Sequence, residues 1–266
     1  MHKIKTFISY IKDFLKFGEY RYILTSIKYI LLHRTTSRTQ IYRSSLGTFL
    51  VRKGTLDFQF ANYAYEWQVK TFVYDHYRDY DVFLDVGSNI GTYSILFGQK
   101  GLRGFAFEPM KANFDALRIN LILNKLEDKV QTFNVALGEF SHKAEFTYDF
   151  INTGASHLLG IEIEDEYPSK TEIIESMIVP LDDFIPQMNL SKSDRIFMKI
   201  DVEGMEEQVL RGAVNFFKTY PNILIVMESV HSGKEKLSEI LNEIAPFEIL
   251  EVDHLNMGAR KIILKK

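Results

Sequence analysis

Three stretches of this chain collect residue types that can do chemistry. The first is Asp85-Val-Gly-Ser-Asn-Ile-Gly91, which runs on from an apolar strand pattern and leads into a helical one. A glycine turn at the carboxyl end of a parallel strand is where open α/β sheets bind ligands. Glycine lets the backbone turn sharply and approach the ligand. Asn89 stands where a dinucleotide fingerprint has its second glycine, and Thr92 where it has its third. Asn tolerates positive φ better than most residues. The turn therefore survives while the pyrophosphate cradle does not, and the loop suits a ligand without phosphates. The second stretch is Phe105-Ala-Phe-Glu-Pro109, whose Glu108 lies 21 residues beyond Gly87. An acid at the tip of a second strand is placed to accept hydrogen bonds from both ribose hydroxyls. A nucleoside pocket that avoids phosphate points to S-adenosylmethionine.

The third stretch is Ile196-Phe-Met-Lys-Ile-Asp-Val-Glu203, followed by Gly204. On a strand, Lys199, Asp201 and Glu203 share one face. Charges inside a buried strand are costly unless paired. One reading is an internal Lys199–Asp201 pair, and the other is a strand that delivers a carboxylate beside the cofactor. Glu228 ends a further apolar run, and His231 follows it. Histidine titrates near neutrality, so His231 is suited to take a proton from an alcohol. The catalytic set is therefore Asp201, Glu228 and His231, and the cofactor set begins with Asp85, Gly87, Asn89, Gly91 and Glu108. A divalent cation on Asp201, Glu203 and Glu228 is chemically admissible, but Lys199 would neutralise part of that cluster, and no metal is expected. His157 lies in a loop that could close over a substrate, or be simply solvated. The acids at 162, 164, 165 and 166 read as a solvated run, and Asp182-Asp183 as the start of a turn or short helix.

Composition narrows the chemistry further. Cysteine is absent, which excludes disulfides, thiolate metal sites and cysteine nucleophiles. The seven histidines never fall within five residues of one another, so no local histidine-pair metal motif exists. A length of 266 residues fits one large domain, or one with an appendage.

The elements that must position these groups alternate along the chain. Strands read at 82–86, 103–107, 130–134, 196–202, 222–228, 246–252 and 260–265, and helices near 91–99, 110–123, 204–218 and 233–244. Such alternation implies a mostly parallel sheet covered on both faces. Between residues 135 and 190 the rhythm breaks. Extended runs at 143–149 and 173–181 flank a loop at 151–170 and read as an inserted hairpin. Ahead of the sheet, 46–60 reads as a hairpin turning at Lys53-Gly54, and Ala64 to Tyr77 as a helix.

Charge sets the N-terminal segment apart. Residues 1–53 carry eleven lysines and arginines against Asp13 and Glu19, a balance of +9, and the rest of the chain carries −12. Ile4, Phe7, Ile8, Ile11, Phe14 and Leu15 recur at helical spacing, with Lys3, Lys5, Lys12 and Lys16 on other faces. Gly18 ends that helix. A second helical run, Glu19 to Leu32, carries Tyr22, Ile23, Ile27, Ile30 and Leu31, and a basic connector follows to Ser45. These helices either pack on the body or, through residues 1–32, meet an anionic membrane surface peripherally. Nucleic acid is the least favoured partner, since no reader motif accompanies the charge. Neither a spanning helix nor a signal peptide is expected. The expected location is cytoplasmic, either free or peripheral on the inner membrane face.

Taken together, Asp85–Gly91, Phe107-Glu-Pro109, Asn134-Val-Ala-Leu-Gly138, Val179-Pro-Leu-Asp182 and Lys199-Ile-Asp-Val-Glu-Gly-Met-Glu206 closely resemble the FkbM family of S-adenosylmethionine-dependent methyltransferases. The resemblance covers roughly residues 50–265, and its most specific part runs from Lys199 to Glu206. It implies a Rossmann-like seven-stranded α/β sheet of order 3-2-1-4-5-7-6 with the last strand antiparallel. It adds Asn134 to the cofactor set, supports Glu228 and His231, and implies O-methylation, often of sugar hydroxyls in polysaccharides, glycolipids or secondary metabolites. The chain then divides into a basic helical extension, 1–45, and a methyltransferase domain, 46–266. Two rivals stay open: a nicotinamide-dependent oxidoreductase, disfavoured by Asn89 and Thr92, and a non-catalytic, membrane-tethered nucleoside-binding module. A protein, lipid or nucleic-acid acceptor is a further alternative to a sugar.

Overall fold

A computed structural model describes residues 11–161 and 170–263. The helix described over 11–17 (α1) and α2 (Arg21–Leu32) precede a two-stranded hairpin, β1 (Gln40–Arg43) with β2 (Thr48–Val51). A single turn, α3 (Asp57–Phe60), and α4 (Trp67–His76) lead into the main sheet. Its first part alternates β3 (Val82–Val86), α5 (Thr92–Gln99), β4 (Arg103–Phe107), α6 (Lys111–Leu123) and β5 (Val130–Phe133). An inserted four-stranded sheet follows, built from β6 (Ala136–Leu137), β7 (His142–Asp149), β8 (His157–Leu158) and β9 (Thr171–Val179). After a short helix, α7 (Ile185–Met188), the main sheet resumes with β10 (Arg195–Ile200), α8 (Glu206–Arg211), α9 (Val214–Thr219) and β11 (Asn222–Glu228). It closes with α10 (Lys234–Ile244), β12 (Phe247–Glu251) and β13 (Asn256–Lys261).

The main sheet has the order β5-β4-β3-β10-β11-β13-β12, and β13 runs antiparallel to both of its neighbours. Counted along the chain, that is 3-2-1-4-5-7-6, a Rossmann-like α/β sheet. β3 and β10 sit in its middle, and every residue of β3 is buried. Such strands read as near-continuous apolar runs because helices cover both faces. On one face Phe83 stacks on Phe97 at 5.1 Å, with Phe197 4.9 Å from Phe97. On the other, Leu84, Met198, Ile225 and Phe216 form a second core.

Four elements differ from the sequence reading. The hairpin turns at residues 44–47, where the Ser44 amide donates to the Gly47 carbonyl, and not at Lys53-Gly54. Phe58 and Phe60 lie on α3 instead of a strand, so the apparent alternation there mixed periods two and 3.6. The expected division at residue 45 falls within this turn. The expected helix 204–218 is broken at Gly212-Ala213. A β-carbon at Gly212 would stand 1.9 Å from the Gly138 carbonyl oxygen, and the Asp182 carboxylate accepts the Asn215 and Phe216 amides that open α9. Strand 196–202 ends at Ile200, and the chain then turns through Glu203 and Gly204, both at positive φ. The last strand begins at Asn256, not at 260. Met257 and Ala259 face the core, and the small Gly258 fits beneath Leu250 and Phe72.

The inserted pair 143–149 and 173–181 appears as β7 and β9, antiparallel over eight residues. The acids at 162–166 and the stripe residues Ile4, Phe7 and Ile8 lie outside the described residues. Within α1, Phe14 is buried, and Phe17 packs on Tyr63 and Trp67 at 4.9 and 5.7 Å between ring centroids. The helix ends at Gly18 (φ 74), with the Glu19 amide donating to the Phe14 carbonyl.

Candidate active site

The glycine loop is held by a crossing at the end of β10. Gly87, Asn89 and Gly91 all take positive φ, at 77°, 47° and 88°. A β-carbon at Gly87 would lie 1.7 Å from the Asp201 carbonyl oxygen, so only glycine permits this crossing. The Gly87 and Ser88 amides both donate to the Phe107 carbonyl, each at 3.0 Å. Asp85 lies beneath the loop. Its carboxylate accepts the Ser94 amide at 2.8 Å and the Ser94 hydroxyl at 2.6 Å, which ties β3 to the first turn of α5. Burial raises its pKa to about 6 against the pull of those hydrogen bonds and of Lys199.

Glu108 stands at the tip of β4, 4% exposed. Its carboxylate accepts the Asn89 and Met110 amides, each at 2.8 Å, which locks the glycine loop to the start of α6. Burial raises its pKa to about 7, opposed by those two amides. Each oxygen keeps a lone pair for a further donor. Asn134 donates to the Glu108 and Pro109 carbonyls, so its side chain braces this corner.

Two clefts meet over the loop. Glu108, Asn113, Val135 and Met205 line one. Phe60, Tyr65, Glu66 and Tyr93 line the other. Gly87, Asn89, Gly154, Asp201 and Glu203 belong to both. Gly154 comes from the inserted segment, whose Thr153 carbonyl accepts from Asn113 and whose hydroxyl faces Asn89 at 3.4 Å. Arg52 spans from Asp57 to this Thr153. His157 instead hydrogen-bonds the Ala155 carbonyl through Nδ1 and lines neither cleft.

Beyond β10, Asp201 and Glu203 border both clefts, while Glu228 and His231, at the end of β11, line neither and reach them only through Glu203. Lys199 is buried and donates to Asp201 at 2.7 Å. Burial works against its charge, yet Asp201 and Glu66 outweigh it and hold its pKa above the ordinary lysine value. Glu203, in left-handed backbone at φ 50, brings Oε2 to 3.5 Å from His231 Nε2. The Glu203 hydrogen bond raises the His231 pKa. Burial raises that of Glu203, and raises that of Glu228 further with help from Asp201 and Glu203. Glu228 Oε2 is buried with no hydrogen-bond partner. One ligand atom each from Glu203, Glu228 and His231 lies within 4.8 Å of the others. The buried Glu206 joins the two strand ends, accepting the Gly204 amide and the Ser232 hydroxyl. Glu228 and His231 are thus brought together with Glu203 at the carboxyl ends of β10 and β11, while Asp201, two residues before Glu203, is paired with Lys199.

Residues 85–255 match the family described as the Methyltransferase FkbM domain. The chain belongs to the FkbM methyltransferase family. The hexuronic acid methyltransferase AglP of Haloferax volcanii is 30% identical over 167 residues, which is 61% of this chain and 62% of that protein. The 31-O-demethyl-FK506 methyltransferase FkbM of Streptomyces tacrolimicus is 28% identical over 187 residues, 62% of this chain and 70% of that one. The crystal structure of a methyltransferase FkbM from Methylobacillus flagellatus KT aligns at 18% identity with a TM-score of 0.48, over 69% of this chain and 44% of that one.

One wall of the site in this FkbM chain lies outside the matched segment. Glu66, at φ 49, accepts the Tyr93 hydroxyl at 2.9 Å and faces the second cleft. Beside it the buried Lys70 donates to the Tyr65 carbonyl, and burial lowers its pKa to about 8. The sequence reading passed over Glu66. Neither glycine nor asparagine marks its strained backbone, and an acid among aromatics, Tyr63-Ala-Tyr-Glu-Trp67, was the only signal.

Proposed function

We propose that this chain is an S-adenosylmethionine-dependent O-methyltransferase acting on a sugar hydroxyl of a glycan, glycolipid or polysaccharide precursor. The observation that carries the reading is the pair of clefts joined at Gly87, Asn89, Asp201 and Glu203. A nucleoside seated on Glu108 would run across Gly87 toward the charged strand ends. The residues fit such a ligand. Glu108 offers a buried acceptor for ribose hydroxyls, and the loop keeps the turn of a nucleotide site without its phosphate cradle. When bound, the cofactor supplies an activated methyl group and its own leaving group. Glu66 and Asp201 are the carboxylates placed to hold its α-ammonium.

What remains for the chain is alignment, water exclusion and a proton. An alcohol needs a base, worth on the order of 10²–10⁴ in rate. Glu203 holds the Nε2–H tautomer of His231, which leaves Nδ1 to accept the hydroxyl proton. Glu228, kept protonated by its buried and acidic surroundings, donates to the acceptor instead of repelling it. The sugar acceptor draws support from the AglP relative, whose name specifies a hexuronic acid.

The test is calorimetry with S-adenosylhomocysteine and with NADH, followed by labelled methyl transfer to hexose and hexuronic acid glycosides. Binding of the homocysteine ligand and labelling of a glycoside support the reading. His231→Ala then lowers turnover and leaves ligand affinity unchanged. Binding of NADH alone would replace the reading with the oxidoreductase. Ligand binding without transfer to any acceptor would favour the binding module.

A further inference from the structure

We propose that the outward face of α1 and α2 docks peripherally on an anionic lipid bilayer. Leu24 and Leu31 are 71% and 70% exposed, and Leu32, Tyr20 and Leu15 are all more than half exposed. Soluble helices bury leucines at this spacing, and a cluster that faces outward marks an interaction surface. The inward side of α2 is already filled: Ser26 is buried, and Ile23, Ile27 and Tyr29 are half-buried. Leu24, Lys28 and Leu31 follow one another at helical spacing on the outer side, with Arg21 one turn before.

Charge selects the partner. Lys12, Lys16, Arg21 and Lys28 are exposed on the same two helices. Of the two acids of the segment, one is withdrawn into the body and the other lies beside Lys16. Glu19 is buried and accepts the Ser45 hydroxyl at 2.8 Å, and Asp13 is half-buried, with burial raising its pKa. A recess next to Tyr20 is lined by Arg21, Arg43, Ser44 and Ser45 together with the buried Glu19, whose charge the two arginines outnumber. Its two guanidinium groups match the phosphate of a lipid headgroup. Apolar side chains beside an excess of cations are the pattern of a helix lying in a membrane interface. The packing of Phe14 and Phe17 presents this face at a fixed angle to the body.

The experiment is co-sedimentation of the full chain with vesicles of phosphatidylcholine, alone or mixed with phosphatidylglycerol, at low and high salt. Each cation at the surface contributes about fivefold to partitioning. The chain is expected to sediment with the anionic vesicles at low salt and to be released at high salt. The double variant Leu24→Glu, Leu31→Glu replaces exposed side chains, so its thermal melt stays at the wild-type value. Its partitioning falls about tenfold or more. Equal partitioning of wild type and variant, or partitioning indifferent to phosphatidylglycerol, would overturn the proposal, as would absence from the pellet. A dimer seen by ultracentrifugation and lost in the variant would also overturn it, by giving the face to a second copy. Cofactor affinity does not enter these readings, so their failure leaves the methyltransferase assignment to its own test.

Discussion

Replacing Glu108 by Gln separates the electrostatic cost of this residue from its use. The carboxyl is fully buried, and its pKa rises from 4.5 to about 7. At ~1.4 kcal/mol per pKa unit, that shift corresponds to roughly 3 kcal/mol. The sign follows from proton counting. Between these two pH values the unfolded chain has lost the proton and the native chain still holds it, so stability falls as pH rises. Glutamine has nothing to titrate there. It also keeps only one acceptor oxygen for the Asn89 and Met110 amides, which costs about 1–3 kcal/mol at every pH. The slope, and not the absolute stability, is therefore diagnostic. Urea unfolding of the ligand-free protein at intervals from pH 4.5 to pH 8 should show the wild type losing roughly 3 kcal/mol more than the variant. Asp85 and the other buried carboxyls contribute equally to both curves. In parallel, S-adenosylhomocysteine affinity should fall about 10- to 100-fold, since the ribose loses charge-assisted hydrogen bonds. Parallel stability curves would mean that Glu108 is solvated, and the argument from its burial would be wrong.

Three further outcomes are expected. Gly87→Ala forces a β-carbon onto the Asp201 carbonyl and should destabilise the fold by at least about 3 kcal/mol. Gly101→Ala, also at positive φ but in open space, should cost only about 1–2 kcal/mol, and paired thermal melts compare them. His231 must be neutral to take a proton, so kcat/KM should rise with pH along a limb above the ordinary histidine value of 6.5. Glu203→Gln should move that limb down toward it, as a pH–rate profile would register. EDTA should leave turnover unchanged; a loss restored by magnesium would instead assign Glu203, Glu228 and His231 to a cation.

The strand–helix rhythm was legible because the central strands β3, β4, β10 and β11 are buried on both faces and leave nearly unbroken apolar runs. The glycine loop and Glu108 were legible because their backbone demands restrict residue type, and Asn89 indeed takes positive φ. Other features depend on contacts far along the chain. The break at Gly212 exists because Gly138, in the inserted segment, presses on it. The last strand starts early because its register is set by β11 and by the space beneath Leu250, not by its own apolar run. Asp85 and Asn134, both in the expected cofactor set, hydrogen-bond Ser94 and the Glu108 carbonyl through their side chains. Acids and amides at strand ends look alike in sequence whether they face a ligand or a neighbouring backbone.

The Asn120 side chain carries a consequence for how this chain can be cut and recombined. Its Oδ1 accepts the Leu50 amide at 2.6 Å, and its Nδ2 donates to the Ile90 carbonyl at 2.8 Å. Asn124 repeats the stitch to Thr48 in both directions. One amide thus links the N-terminal hairpin to the cofactor loop, although Leu50 lies outside the family-matched segment. Excising residues 85–255 as a portable module would strip partners from α6 and loosen the loop it supports. A functional graft must carry the hairpin with it.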